Sequence, residues 1–336
     1  MTKSNHICAL RLLNNFEQMC ASCLFSITIP AFKSAFLKEC IESALVQTYK
    51  NFELIIVNDN SPEDIDSIVY SFHDDRIRYY KNDVGFGAEH VVGNWNKCLE
   101  YAKGDFIICM GDDDKLKPNF LTDLSDLINK YPDLDVYYSR TEIINESSEV
   151  VRVLEERPER ESVYEMIQKR KNGRSMFIGD YCYRSKVLQE KGGFYDLPFA
   201  WGSDAITAYM MAGQKGIANT RNVGFQYRVN SQTISSNISN VEGKIKAVFL
   251  ERQWFYSFLK QNPKNRKDRP LYKELKADND AYFERMAAGD IIRDISSNPW
   301  TSSFKWIRIH SRYNLSFFFI IKCIGHACLI DKMQKG

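Results

Sequence analysis

Short apolar runs separated by helix-length connections recur from residue 26 to 138, and this rhythm constrains the chain more than any other feature. Ser26-Ile27-Thr28-Ile29 is a β-rich run ended by Pro30, and Phe36, Leu37, Ile41, Ala44 and Leu45 then recur at helical spacing. Leu54 to Val57 is continuously apolar, as a strand covered on both faces requires. Ser61-Pro62 offers an N-cap and a first-turn proline, before Ile65, Ile68, Val69 and Phe72 mark a helix face. Ile77 and Tyr79 suggest a third strand. Val91, Trp95, Cys98 and Ala102 mark a helix, with Gly104 in a left-handed position at its end. Phe106 to Met110 is a fourth strand, Phe120 to Ile128 a helix, and Val136 to Tyr138 closes the series. Such βαβ units predict an α/β fold whose mainly parallel sheet is flanked by helices. Ligands of these sheets bind beyond the carboxyl ends of the strands.

Residues 139 to 176 are charged and poorly periodic and read as a surface excursion. Ala205, Ala208, Tyr209 and Ala212 form a helix after Trp201, closed by Gly213. From about residue 242 the pattern is helical again (Ile245, Val248, Phe249, Tyr256, Leu259), interrupted by a basic stretch with Pro263 and Pro270. At 336 residues the chain suffices for one large α/β domain or two ordinary ones. Its 44% hydrophobic and 26% charged residues exclude a disordered chain, a collagen or a small disulfide scaffold. Forty-five Lys+Arg against 43 Asp+Glu is too even for a general polyanion binder, so nucleic acid is not an expected partner.

The nine cysteines are odd in number, and several (Cys40, Cys98, Cys109, Cys182) lie in apolar segments where a thiol packs as a small hydrophobe. Cys20 and Cys23 have no second pair or histidines at zinc spacing. A reducing, cytoplasmic compartment follows. Residues 1 to 24 read as an N-terminal extension without a signal peptide, since Arg11 and Glu17 interrupt it. No segment has the roughly 18 apolar residues of a membrane span. The nearest approach, around Ser316 to Ile330, is broken by Lys322 and His326.

Carboxylates stand where the strand rule puts a site. Met110-Gly111 is followed by Asp112, Asp113 and Asp114, directly after the fourth strand. Two such charges about 4 Å apart repel by about 1 kcal/mol in water and by several in a partly closed cleft. A hard divalent cation, Mg²⁺ or Mn²⁺, turns that repulsion into attraction. The alternative is an acidic turn capping the helix after Pro118. Asp59 follows the second strand, where turn formation and helix capping are the alternative. Asp204, in Trp201-Gly202-Ser203-Asp204, either presents an isolated acid or meets the amides of a helix start. Gly85-Phe86-Gly87 lacks the third glycine of a dinucleotide fingerprint, although its glycines would let backbone approach a phosphate. His90 reads as structural, and no serine or cysteine triad is present.

In their order these segments resemble the family 2 glycosyltransferases of the GT-A fold. The opening Ser26 to Phe32 with Phe36 to Leu45 and Gln47-Thr48-Tyr49 is similar to the family's start. Phe52 to Ser61, Asn94-Trp95-Asn96 through Gly104, and Asp112-Asp113-Asp114 with Pro118 continue the likeness. Gly192-Gly193-Phe194, Gly202-Ser203-Asp204, and Tyr227-Arg228-Val229 with Ile234-Ser235 complete it. The resemblance implies a catalytic domain over residues 25 to 236 and a helical C-terminal extension over 237 to 336. It implies that Ala31 and Phe32 border the nucleobase, Asp59 bonds its edge, and Asp112 touches the ribose. Asp113, with Asp114 as a further ligand, would hold Mn²⁺ or Mg²⁺ on the diphosphate, and Asp204 would be the general base. Ala31-Phe32-Lys33, Ser203 and Asn230 depart from the usual family residues.

The implied activity is inverting, metal-dependent transfer of a hexosyl or related group from a nucleotide-diphosphate sugar, UDP-sugar foremost, to a saccharide or lipid-linked acceptor in surface polysaccharide or lipid-linked saccharide synthesis. Two rivals stand beside it. One is a non-catalytic nucleotide-sugar-binding partner in polysaccharide assembly. The other is a sugar-phosphate nucleotidyltransferase, which would need a glycine- and basic-rich loop that Ala31-Phe32-Lys33-Ser34 does not supply. Trp300, Phe304, Trp306, Ile307 and Phe317 to Ile321, beside Lys305, Arg308, Arg312 and Lys322, offer a peripheral membrane contact at the inner face. The competing reading is that this tail packs on the catalytic domain or builds a homo-oligomer.

Overall fold

Parallel strands with crossover helices build the first half of the molecule. The computed structural model describes residues 23–230 and 240–335. Strand β1 (Phe25–Ala31) is followed by α1 (Leu37–Leu45), β2 (Phe52–Asn58), α2 (Ile65–Tyr70), β3 (Ile77–Lys81), α3 (Val91–Tyr101) and β4 (Phe106–Cys109). β1 lies between β2 and β4 and runs parallel to both, with Thr28 beside Ile55 and Cys109. β3 adds in parallel outside β2.

After β4 come β5 (Lys115–Leu116), α4 (Phe120–Lys130), β6 (Val136–Ile144), β7 (Val150–Val153), β8 (Arg160–Glu161), α5 (Val163–Lys171), β9 (Tyr181–Arg184), α6 (Ser185–Glu190), α7 (Ser203–Ala212) and β10 (Ile217–Arg228). The sheet order is β3-β2-β1-β4-β9-β6-β10-β5, with β7 on β6 and β8 on β10. β9 is antiparallel to both β4 and β6, so the parallel order stops at β4 and the sheet is mixed. The residues of β9, Tyr181-Cys182-Tyr183-Arg184, form no aliphatic run that would mark a strand in the sequence.

Several local expectations change. Residues 139–176 are no mere excursion: β6 continues, almost wholly buried, to Ile144, and α5 buries Val163, Tyr164, Met166 and Ile167. A reciprocal capping box, Ser162 with Glu165, starts α5. The cap of α2 is Asp64, whose carboxylate accepts the Ser67 amide at 3.0 Å, rather than Ser61. Gly104 does not end α3 in a left-handed turn, because Ala102 already turns extended. It is a point of close approach, where a Cβ would stand 2.6 Å from the Ser26 nitrogen.

The C-terminal helices are α8 (Val241–Phe258), α9 (Arg269–Ala277), α10 (Asn279–Ser297), α11 (Pro299–Ile309) and α12 (Phe317–Lys335). Alternation along the strands divides the apolar residues between two faces. Ile27, Ile29, Phe106 and Ile108 join α1 and α4 on one side. Ile107, Cys109, Tyr138, Tyr181 and Tyr183 join α3, α5, α7 and the C-terminal helices on the other. The helical extension thus shares a core with the sheet. Among the described residues no helix is long and apolar enough to cross a membrane. Residues 1–22, including Cys20, and the Ile234-Ser235 segment lie outside the described residues.

Trp306 of α11 tests this shared core. It is fully buried, and its indole donates to Asp294 of α10 at 2.7 Å. Trp306→Ala should destabilise the whole fold by about 3–5 kcal/mol in chemical denaturation. A sheet that kept its unfolding midpoint while only the last helices melted would refute the shared core.

Candidate functional site

β1 and β4 are parallel neighbours, so the segments leaving their carboxyl ends meet where the strand order switches. Asp112 ties the two segments together, its Oδ2 accepting the amide N–H groups of Phe32 and Lys33, both at 2.7 Å. Those donors favour the ionised form. Burial, helped by the neighbouring Asp113 charge, outweighs them and pushes the Asp112 carboxyl up to about 6. Ala31 is wholly buried and its carbonyl accepts the Asp59 amide at 2.9 Å, so it does not line the cleft. Phe32 stands exposed at the cleft.

The three aspartates divide their work. Asp113 is the most accessible, its Oδ2 accepting from Asn230 Nδ2 at 2.7 Å with Lys33 Nζ at 4.0 Å. Asp114 turns inward, accepting the Arg228 amide at 3.0 Å and the Gly111 amide at 3.3 Å. Burial and Asp113 push its carboxyl well above the usual range. Arg228 is fully buried: its Nε donates to the Asp113 carbonyl at 2.7 Å, and Nη1 to the carbonyls of Asn145 and Glu146 at 3.0 and 3.2 Å. Nη2 meets Glu39 of α1 at 3.1 Å, and the guanidinium lies over the Phe36 ring. The sequence marked Arg228 only as part of a terminal signature, whereas the structure makes it the brace of the acidic turn.

Among the described residues no three His, Cys, Asp or Glu side chains form a metal cage. Asp113 nevertheless suits a cation of the Mg²⁺ type, which needs one or two carboxylates and completes its shell with water and phosphate oxygens. The ligand role expected of Asp114 does not fit, because its oxygens are turned to backbone amides inside the protein.

Asp59 is also diverted from the base edge expected for it. Its carboxylate accepts the amides of Phe86 at 2.9 and 3.1 Å and of Gly87 at 3.1 Å, and the Asn82 side chain at 3.0 Å. The amides of Phe86 and Gly87 are therefore spent on Asp59 rather than offered to a phosphate.

The far wall is built by α5, α7 and the C-terminal helices. Gly202 precedes α7 with φ of +94°, and Asp204 follows, half-buried, accepting the Ala205 amide at 2.7 Å. Burial pushes the Asp204 carboxyl up to about 6, while Arg170 of α5 pulls in the opposite direction. Arg170 is itself held by Glu251 of α8 at 2.5 Å. The other Glu251 oxygen stands 2.7 Å from where a Cβ on Gly202 would sit, so a side chain there would displace it. A cavity of about 660 Å³ brings together Phe32, Lys33, Asp59, Asp112, Asp113, Asp114, Arg170 and Asp204, with Met286 of α10 closing one side. Arg170 and Met286 escaped the sequence reading. The Ser162-x-x-Glu165 signature could have revealed the helix that carries Arg170.

Residues 26–191 match Glycosyl transferase family 2. An uncharacterised glycosyltransferase of Rickettsia typhi is 34% identical over 134 residues, covering 39% of this chain and 41% of that relative, so the match spans about two fifths of its length. The Escherichia coli UDP-Glc:alpha-D-GlcNAc-diphosphoundecaprenol beta-1,3-glucosyltransferase WfgD is 28% identical over 235 residues, covering 69% of this chain and 84% of WfgD. The crystal structure of S. aureus TarS 1–349 in complex with UDP matches with a TM-score of 0.59 at 15% identity, covering 93% of this chain and 91% of that one, a likeness of fold. The matched segment carries β1, the acidic turn and α5, and on these grounds the chain belongs to glycosyl transferase family 2.

Proposed function

We propose that this protein transfers a glycosyl group, with inversion, from a nucleoside-diphosphate sugar to a hydroxyl of a lipid-linked saccharide. The observation that carries the reading is one cavity with Asp113 at the end of β4 and Asp204 at the start of α7. The names of WfgD and of the UDP complex of TarS support a UDP-sugar donor, and WfgD a diphosphate-linked polyprenol acceptor. Phe32 borders the nucleobase, Asp112 takes the ribose, and Lys33 adds positive charge beside the diphosphate. Asp59 acts indirectly, by fixing the loop at Phe86. Asp113 would hold Mn²⁺ or Mg²⁺, which supplies Lewis-acid stabilisation of the departing diphosphate. Asp204 takes the proton of the acceptor hydroxyl as its oxygen attacks the anomeric carbon. The bond from that carbon to the diphosphate breaks, and its electron pair leaves with the nucleotide. A carboxyl near 6 is ionised at neutral pH yet more basic than an ordinary aspartate, which suits a general base.

Three outcomes are expected. Asp113→Asn should weaken UDP binding in Mn²⁺ by about tenfold or more in calorimetry, with the fold unchanged by circular dichroism, since hard cations are bound through carboxylate oxygens. Unaltered affinity and unaltered Mn²⁺ dependence would remove Asp113 from the donor site. Asp204→Asn should leave UDP binding intact and lower kcat by about 10²- to 10⁴-fold. Near-normal turnover would exclude Asp204 as the base.

The pH dependence has a definite sign. The active form of Asp204 is the carboxylate, so kcat/KM should hold above about 6 and fall as pH drops through that value. Stability should run the other way. Folding raises this carboxyl from 3.8 to about 6, so the native state holds its proton more tightly and Asp204 lowers stability as pH climbs through that interval. Asp204→Asn should abolish this component while sparing the rest of the melting profile. An acid limb unchanged in a residually active Asp204→Asn enzyme would assign it to another group.

A further inference from the structure

The last two helices have two apolar sides, and the fold uses only one. Trp306, Ile309, Leu315, Ile320, Cys323 and Ala327 face the protein and are buried in the shared core. The opposite side carries Trp300, 90% exposed, Phe304, 69%, Phe317, 54%, and Phe318, 67%. Ile307, Ile321 and Leu329 are also exposed. Together these make seven of the sixteen large hydrophobic residues exposed among the described ones, concentrated in thirty positions. Single exposed hydrophobics need no explanation, whereas such a concentration marks a contact surface. Trp300, Phe304 and Ile307 fall at i, i+4 and i+7 of α11, hence on one stripe.

Charge identifies what this side fits. Between Asp294 and Asp331 the sequence has no aspartate or glutamate, although acids make up 43 of 336 residues overall. Lys305, Arg308, Arg312 and Lys322 lie in that interval. Arg308, Arg312 and Lys322 are exposed, and Lys322 Nζ sits 4.7 Å from the centre of the Phe318 ring. Lys305 is engaged with Glu242 and Asp294 and takes no part. Aromatic rings among exposed cations, in a stretch of sequence without carboxylates, are the composition of an interfacial helix. We propose that the exposed side of α11 and α12 docks on an anionic lipid surface, with the rings at headgroup depth and the three cations beside the lipid phosphates. The surface carries this inference by itself, independently of the transfer reaction.

The test must leave the core side untouched, because truncating at residue 300 would uncover the buried face of α10. Cosedimentation of the full chain with vesicles of 70% phosphatidylcholine and 30% phosphatidylglycerol should show binding that falls at least about tenfold when salt is raised from 50 to 500 mM. Pure phosphatidylcholine should bind at least about tenfold less. Trp300→Ser/Phe304→Ser/Phe318→Ser should lose vesicle binding while retaining UDP affinity and the melting midpoint. Arg308→Gln/Arg312→Gln should weaken it by about tenfold or more, on the basis of about fivefold per cation. Absence of binding to the anionic vesicles, or a triple variant that binds like the parent, overturns the proposal. So does a concentration-dependent dimer in ultracentrifugation, abolished by the same three substitutions without any vesicle binding, which would assign the face to a second copy of the chain.

Discussion

Three successive carboxylates at one strand end would repel one another strongly if all faced the same way, and the site is organised around preventing that. Asp112 is committed to the amides that follow β1, and Asp114 to the amides of Gly111 and Arg228. Asp113 alone keeps an accessible charge, flanked by Lys33 and Asn230. Arg228 makes the partition durable. Its guanidinium reaches Glu39 on α1, the Asn145–Ser148 turn beyond β6, and the Asp113 carbonyl. Removing one partner of a buried ionic brace is far costlier than never having built it, because the remaining charge is stranded. Sheet, first helix and acidic turn are therefore interdependent.

The opposite wall follows another logic. Asp204 has a single strong local donor, the Ala205 amide, and its burial favours the protonated form. Arg170 offsets part of that burial, and Glu251 offsets part of Arg170. This graded compensation leaves a carboxyl ionised but basic, whereas at Asp114 burial and the neighbouring Asp113 charge push the carboxyl well above the usual range. Basicity alone does not separate Asp204 from Asp112, whose carboxyl is also pushed up to about 6. Place does: Asp112 is tied to the amides that follow β1, while Asp204 stands on the opposite wall at the start of α7.

What the sequence made legible depended on how continuous the apolar runs were and on how local the signal was. β1, β2 and β4 were visible because an apolar run between helix-length connections has few other meanings, and the acidic turn was visible because it directly follows one of them. β4 and β9 are equally short, but β9 reads Tyr181-Cys182-Tyr183-Arg184, with no run of aliphatic residues to mark it. α5 was hidden by the charged runs on either side of its apolar start, Glu155 to Glu161 and Lys169 to Lys171, despite the Ser162 capping signature. Orientation was not legible at all. A string of three aspartates does not say which oxygen meets an amide, and nothing in Val57-Asn58-Asp59 reveals that Phe86 and Gly87 will take the carboxylate. Arg170 and Met286 reach the cavity only through tertiary packing, so no motif around them could announce a site.

Glu251 has a consequence for how the molecule can be recombined. It grips Arg170 on one side and crowds Gly202 on the other, so a residue from the eighteen-residue α8 holds the geometry of a far wall that the matched segment, ending at residue 191, contains only in part. A chimera joined at that border would transplant the acidic turn intact and leave its opposite wall without a template. Exchange between relatives has to move α5, the Gly202 turn and α8 as one cassette, because these three segments inherit one another's shape.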